Sequence, residues 1–363
     1  MARIAVVSDV HLGTRQYGLN ERYEDFIRAF EAFGKSASAE GVDAVVIGGD
    51  LFDSPKPDAR SVLKAMGVVG RLKSSGVRVF GIDGNHDLAG GDWLRVIGAD
   101  VLEDFEVSEI GGARVAGLSY MSGRDLVASI QQMADVGIKS DVLVAHFALA
   151  EMNGGGSADT GVRELSPMLD KIGVKAVLMG HVHIPDVRKW NGVMYVNPGS
   201  TELKSSNEPK EKFYFVVDTD AWEAHEVPIA TRPAETVEIA TEDDILKFSS
   251  DMAEEAKKVS DGSIQRRPFY NVIADDAVDD AFKRISKAIH DSSAIARIVM
   301  RSSRARDLAP VVDRKESVAT LESAIEARFP KESEEARLTS SMLHSPDPSS
   351  IHMIVEKFMK GDA

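Results

Sequence analysis

Gly180-His181-Val182-His183 closes the apolar run Lys175-Ala176-Val177-Leu178-Met179 and decides how the rest of the chain reads. Side chains alternate along an extended backbone, so two imidazoles two residues apart at a strand end face the same way. Four upstream motifs repeat the arrangement. Asp9-Val10-His11 follows a strand-like run over 3–8, and Gly49-Asp50-Leu51-Phe52-Asp53 follows one over 43–48. Gly84-Asn85-His86-Asp87 follows 77–82, and His146 follows 141–145. Taken singly these motifs are commonplace: Gly49 and Gly84 suit turns, and Asp9 and Asp87 suit caps or turns. Five of them at strand ends, in this order, point to one sheet edge that collects imidazole, carboxylate and amide donors.

The segments between the motifs support a sheet of that kind. Tyr23, Phe26, Ile27, Phe30 and Phe33 recur at three-and-four spacing and predict a helix over 21–39, with another over 58–75. Strand–helix–strand alternation implies a largely parallel sheet covered by helices, with ligands at the carboxyl ends of the strands. Strands over 114–119 and 175–179 and a helix over 123–136 continue the pattern. The loop 148–161 carries Gly154-Gly155-Gly156 and is expected to be mobile over the site. Asn191-Gly192 predicts a hairpin between 187–190 and 193–196, and a strand follows over 212–218.

The first domain is therefore read as 1–231. From Arg232-Pro233 the texture changes to strands at 235–239, 269–274 and 296–301 with helices at 242–259 and 276–290. This is a small α+β domain over 232–306. Residues 307–363 are helical and charged, with a linker at His344-Ser345-Pro346-Asp347-Pro348.

Composition narrows the chemistry. The 363 residues are 43% hydrophobic and 28% charged, enough for a sizeable core. There is no cysteine, so disulfides and thiolate metal sites are excluded and any metal must be held by N and O donors. No apolar run approaches a membrane span, and the start runs straight into a strand without a signal-peptide layout; the expected location is the cytoplasm. The net charge of −15 argues against a wholly basic polyanion-binding surface. Nucleic acid stays open as substrate, because bound divalent cations reverse the local sign where a phosphate sits.

Asp9 and His11 share one face of a loop and can chelate one cation, which His183 completes. Asp50, flanked by glycine, can approach closely enough to bridge two. Asn85, His146 and His181 serve the second. Two divalent ions about 3.5–4 Å apart clamp a phosphate and promote in-line displacement. Imidazole and oxygen donors without thiolate favour manganese or iron. His86 is left to contact a phosphate oxygen or protonate the leaving oxygen. Asp53 is expected to accept from its other ring nitrogen and fix the tautomer.

The set D-x-H, G-D-x-x-D, G-N-H-D, lone H and G-H-x-H resembles the calcineurin-like metallophosphoesterase superfamily. The resemblance implies a four-layer αββα sandwich. It also implies Asp9, His11, Asp50 and His183 on one metal, and Asp50, Asn85, His146 and His181 on the other. The surroundings Ser8-Asp9-Val10-His11-Leu12-Gly13, Gly48-Gly49-Asp50-Leu51-Phe52-Asp53, Lys56-Pro57, Leu118-Ser119-Tyr120-Met121-Ser122 and Asn197-Pro198-Gly199-Ser200 resemble SbcD nucleases, relatives of the meiotic recombination eleven nuclease. One departure is Asp53, where archaeal and eukaryal members typically carry His, so a role for that His in handling single-stranded ends does not carry over.

That resemblance implies a manganese-dependent nuclease subunit with 3′–5′ exonuclease and single-strand or hairpin endonuclease activity. It would act on double- and single-stranded DNA ends in break repair, as a homodimer, with an SbcC-type coiled-coil ABC ATPase as partner. The domain 232–306 would be its DNA-capping domain. Arg297, Arg301 and Arg304 would form a cationic strand face for DNA phosphates, or simply a solvated face. Ile351, Ile354, Val355, Phe358 and Met359 fall on one helical face and would dock on the ATPase. Val62, Leu63, Met66, Val69 and Leu72, with Trp93, Leu94, Val96 and Ile97, would dimerise or simply face the core. Two alternatives stand beside this reading: a small-molecule phosphodiesterase or nucleotidase on the same site, and a mainly structural DNA-end tether.

Overall fold

The structure is a computed structural model and describes residues 2–88, 92–152, 157–262, 267–275, 278 and 280–301. Gly154-Gly155-Gly156, Arg304, the Pro-rich linker and the apolar stripe at 351–359 lie outside the described residues. Two compact units are distinguished: Met1–Ile273 with Phe282–Val299, and Ala274–Ala281 with Met300–Ala363. The second has few described residues, the ends of two strands among them. Everything below concerns the first unless stated.

The strands and helices follow in order as β1 (Arg3–Val7), α1 (Asn20–Ala39), β2 (Ala44–Ile47), α2 (Ala59–Ser74), β3 (Arg78–Gly81), α3 (Trp93–Val96), β4 (Asp100–Val101), β5 (Val107–Ile110) and β6 (Ala113–Leu118). There follow α4 (Gly123–Asp135), β7 (Val142–His146), α5 (Val162–Ile172), β8 (Ala176–Gly180), β9 (Asp186–Trp190), β10 (Val193–Asn197), β11 (Lys212–Asp218) and β12 (Glu223–Ile229). The remaining elements are β13 (Ala234–Ile239), α6 (Glu242–Ser260), β14 (Phe269–Asp275), α7 (Ala281–Ser292) and β15 (Ile295–Arg301).

Two six-stranded sheets form, in the orders β12-β11-β1-β2-β3-β4 and β5-β6-β7-β8-β10-β9. Strand periodicity sorts the side chains between layers. Ala5 and Val7 of β1 join Ile27, Phe30, Phe33, Val68 and Leu72 of α1 and α2 in one cluster. Ile4 and Val6 turn the other way and meet Val144, Leu178 and Val196 of the opposite sheet. That sheet's outer face, with Leu143 and Val177, is covered by Ile130 of α4 and Leu165 and Leu169 of α5. Three clusters between four layers make the expected αββα sandwich. Each fully buried Val, Leu or Ile contributes about 1.5–3 kcal/mol.

Local signals explain the boundaries. Asp58 caps α2 by accepting from the Arg60 and Ser61 amides. Asn191 and Gly192, both at positive φ, turn β9 into antiparallel β10. A third sheet, β13-β14-β15, accompanies α6 and α7 beyond Arg232. Several elements lie outside the sequence expectation, among them α3, β4 and the following three. Helix α5 contains Pro167; β12 contains Pro228, which an edge strand tolerates; and β5 pairs with β6 at the far edge of its sheet. Among the described residues no helix is long and apolar enough to cross a membrane.

Candidate metal centre

Parallel register carries the motifs to one place. β1 pairs with β2 from Ile4↔Ala44 to Val7↔Ile47, and beyond the strands the Asp9 and His11 amides donate to the carbonyls of Gly49 and Asp50 at 3.1 and 3.0 Å. β7 pairs with β8 so that His146 stands opposite Gly180, one residue before His181. All these residues leave the carboxyl ends of β1, β2, β3, β7 and β8. Asp9, His11, Asp50 and His181 hold φ of 52°, 50°, 52° and 91°. Positive φ in a non-glycine residue costs about 1–3 kcal/mol and persists where the surroundings over-determine it. Two glycines permit the close approach. A Cβ at Gly84 would lie 2.2 Å from Asp50 Oδ1, and one at Gly180 would lie 2.0 Å from Ser8 Oγ.

Asp9, His11 and His183 present donor atoms within 4.8 Å of one another, as do Asp9, Asp50 and His146. Asp50 Oδ2 lies 3.4 Å from His146 Nε2 and 3.7 Å from His11 Nε2, so it reaches both groups. Asn85 Oδ1 lies 3.1 Å from His146 Nε2 and 3.0 Å from His181 Nδ1. His183 Nε2 lies 3.1 Å from His11 Nε2 and 3.6 Å from Asp9 Oδ1.

Outer contacts set the imidazoles. His146 Nδ1–H donates to the Gly48 carbonyl at 2.8 Å, turning Nε2 toward Asp50 and Asn85. His183 Nδ1–H donates to Glu208 Oε1 at 2.8 Å, turning its Nε2 inward. Buried carboxylates, an amide carbonyl oxygen and imidazole nitrogens thus converge on one spot, all of them donor types that divalent cations take. The donor set fits divalent manganese, iron or zinc.

The electrostatics follow the same grouping. Burial, the largest influence on Asp50, would raise its carboxyl; His146, His11 and the His86 amide outweigh it and hold Asp50 well below the usual carboxylate range. Burial would lower His146, but Asp50 and Asp9 push it up to about 9. His11 is lowered, by burial first. Asp87 accepts from the amides of Leu51, Phe52 and Gly84 and ties the β2 and β3 loops together; burial nevertheless pushes it up to about 7.

One pairing is made by a different atom. His86 Nδ1 meets the main-chain carbonyl of Asp53 at 3.0 Å, not its carboxylate. The Asp53 carboxylate is taken by Lys204 Nζ at 2.8 Å and lies 3.3 Å from His11 Nδ1. Burial would raise Asp53, but His11 and Lys204 hold it low. Lys204 and Glu208 were absent from the sequence reading. Glu208 also accepts from Ser200 Oγ and Lys212 Nζ at 2.8 and 2.7 Å. Lys212 opens the apolar strand Lys212–Asp218, and a lysine in that setting needs a carboxylate; Glu208 stands four residues before it.

The arginines expected on DNA divide. Arg297 packs over Tyr17, 4.6 Å from the ring centroid, and Tyr17 stacks on Phe269. Arg301, in the second unit, is exposed. On α2, Val69 and Leu72 face the core while Leu63 and Met66 are exposed, as is Val96 of α3.

Residues 2–185 match the family model described as calcineurin-like phosphoesterase. The DNA double-strand break repair protein Mre11 of Haloferax volcanii is 32% identical over 252 residues, covering 66% of this chain and 55% of that protein. The protein of the same name from Aeropyrum pernix is 30% identical over 267 residues, covering 66% and 64%. That of Saccharolobus solfataricus is 26% identical over 302 residues, covering 76% and 75%. The chain thus spans little more than half the length of the first relative and under two thirds of the second.

Proposed function

Because the chain belongs to the calcineurin-like phosphoesterase family, we propose that it is a metal-dependent phosphodiesterase acting as the nuclease subunit of a DNA double-strand-break repair complex. The observation that carries this reading is the convergence of Asp9, His11, Asp50, Asn85, His146, His181 and His183 from five strand ends. Asp9, His11, Asp50 and His183 would hold one divalent cation, and Asp50, Asn85, His146 and His181 the other. Manganese is the proposed metal. Two such cations supply Lewis acidity toward a phosphoryl oxygen and a nucleophile at neutral pH.

The chain's own residues supply the rest. Gly48 and Glu208 fix the tautomers of His146 and His183. The Asp53 carbonyl fixes Nδ1–H of His86, which leaves Nε2 facing Asp50; with a second proton on Nε2 the ring would touch a phosphate oxygen or protonate the leaving oxygen, and return to the neutral form. Asp53 acts on His11 through its carboxylate, as a positioning residue. DNA ends, an SbcC-type ATPase, a homodimeric state and an intracellular, nucleoid-associated location belong to this proposal. So do a nuclease domain over 1–231, a capping domain over 232–306 bearing Arg297, Arg301 and Arg304, and an ATPase-binding segment over 307–363.

The test is digestion of a blunt duplex with manganese. Wild type should release nucleotides, and His86→Ala should not, with its manganese content intact. Equal digestion by both would remove His86 from the mechanism. No digestion by wild type would overturn the nuclease reading.

A further inference from the structure

The stretch Leu118-Ser119-Tyr120-Met121-Ser122 stands at the carboxyl end of β6, beside the strand that delivers His146. Its main chain is tied down at two successive residues. The Ser119 amide donates to Asp104 Oδ1 at 2.9 Å, and the Tyr120 amide donates to the Asp83 carbonyl at 2.8 Å. Asp83 stands two residues before Asn85, so the second bond seats Tyr120 next to the loop that carries a candidate ligand. Met121 beyond it packs against the core under the second sheet, and Ser129 Oγ donates to its sulfur at 3.3 Å.

The ring of Tyr120 is placed accordingly. Its centroid lies 6.0 Å from those of both His146 and His181, at interplanar angles of 74° and 32°. These are the two imidazoles grouped with Asn85. Beside the other group, His86 stands 4.8 Å from the ring of His11. Packing explains the Tyr120 ring but not its hydroxyl, because a phenylalanine would cover the two imidazoles equally well. The side chain is half-buried, and the hydroxyl meets no hydrogen-bond partner among the described residues. A phenol can donate, and the non-bridging oxygens of a phosphodiester only accept.

We propose that Tyr120 binds the substrate, its hydroxyl donating to a non-bridging oxygen of the phosphodiester on the side of His146 and His181. His86 serves the side of His11. Tyr120 keeps its proton, and no covalent bond is made or broken at it. The inference rests on the cation-dependent phosphodiesterase reading above and adds a substrate-binding residue to it.

The test uses the full chain with two readouts, manganese calorimetry without substrate and steady-state hydrolysis of bis(4-nitrophenyl) phosphate. Tyr120→Phe keeps the ring on the imidazoles and removes only the hydroxyl. Manganese affinity should stay within about twofold of wild type, while KM rises about tenfold and kcat stays within about twofold. An unchanged KM would overturn the proposal and leave Tyr120 as packing for the imidazoles. Weaker manganese binding by Tyr120→Phe would also overturn it, because the hydroxyl would then serve the ligands and not the substrate. A fall in kcat with KM unchanged would overturn the binding role in favour of one in the chemical step. If wild type itself neither binds manganese nor hydrolyses the diester, the underlying function fails and this assignment with it. If wild type does both and Tyr120→Phe matches it, only the role of Tyr120 falls.

Discussion

Glu208 Oε1 accepts a hydrogen bond from Nδ1 of His183 over 2.8 Å, and so decides which nitrogen of that imidazole faces the candidate metal centre. Partners of this kind typically contribute 10–100-fold to metal affinity. Glu208→Ala should weaken manganese binding by about that factor, and should also lower stability because it strips the buried Lys212 of its carboxylate. Calorimetry checks the affinity and circular-dichroism melts the stability.

The same carboxylate makes stability depend on acid. Burial, the largest influence on Glu208, would raise it, but the His183 hydrogen bond and the Lys212 ammonium outweigh burial and bring it from 4.5 down to about 2. A carboxylate depressed in the folded state stabilises fully above its unfolded pKa, and that contribution is lost as pH falls toward the folded value. For Glu208 it amounts to about 3 kcal/mol, lost between about 4.5 and about 2. In urea titrations of chelator-treated protein, wild type should lose more stability across that window than Glu208→Gln. Parallel curves would assign the acid sensitivity to other groups.

His86 should separate chemistry from metal loading. Its side chain is 37% exposed and makes its Nδ1 contact with a main-chain carbonyl, so its removal disturbs little packing. His86→Ala should lower kcat by about 10²–10⁴-fold with two manganese ions still bound. Loss of manganese in this variant would move His86 from proton transfer to ligation.

Asp25 joins the two sides of Arg232-Pro233. Its carboxylate accepts from Arg232 Nε and Nη2 at 2.7 and 3.0 Å and from Arg22 Nη1 at 2.6 Å, all in buried surroundings. Arg22 reaches on to Glu202 and to the Leu203 carbonyl. Removing one partner of a buried ion pair leaves uncompensated charge and costs about 3–5 kcal/mol. Asp25→Ala should shift the urea midpoint accordingly, and Asp25→Asn by less. An unchanged midpoint would mean that water replaces the carboxylate without loss.

The convergence of these residues was legible because each motif is contiguous in sequence and sits close behind an apolar strand, so parallel topology alone gathers them. The hairpin at Asn191-Gly192 was legible for the same local reason. What the sequence hid is what the loop after β10 contributes. Lys204 and Glu208 stand in a polar stretch with no period, and only the folded chain brings them to His11, Asp53 and His183. Asp53 was therefore matched with His86 by elimination, when its carboxylate had a nearer cation. Helix α5 escaped because Pro167, which the helix accommodates, reads in the sequence as a helix breaker and glycines precede it. Strand β12 escaped because its exposed edge carries Glu223, Glu226 and Pro228 in place of a clean apolar alternation.

The central claim is that five strand ends build one centre for two cations sharing Asp50. Titration of the chelator-treated protein with manganese, read as stoichiometry by calorimetry, tests it most directly. Wild type should bind two ions per chain, and Asp50→Ala, which removes the shared carboxylate, should lose high-affinity binding of both. Absence of saturable binding to wild type, or two ions still bound tightly by the Asp50 variant, would contradict the account.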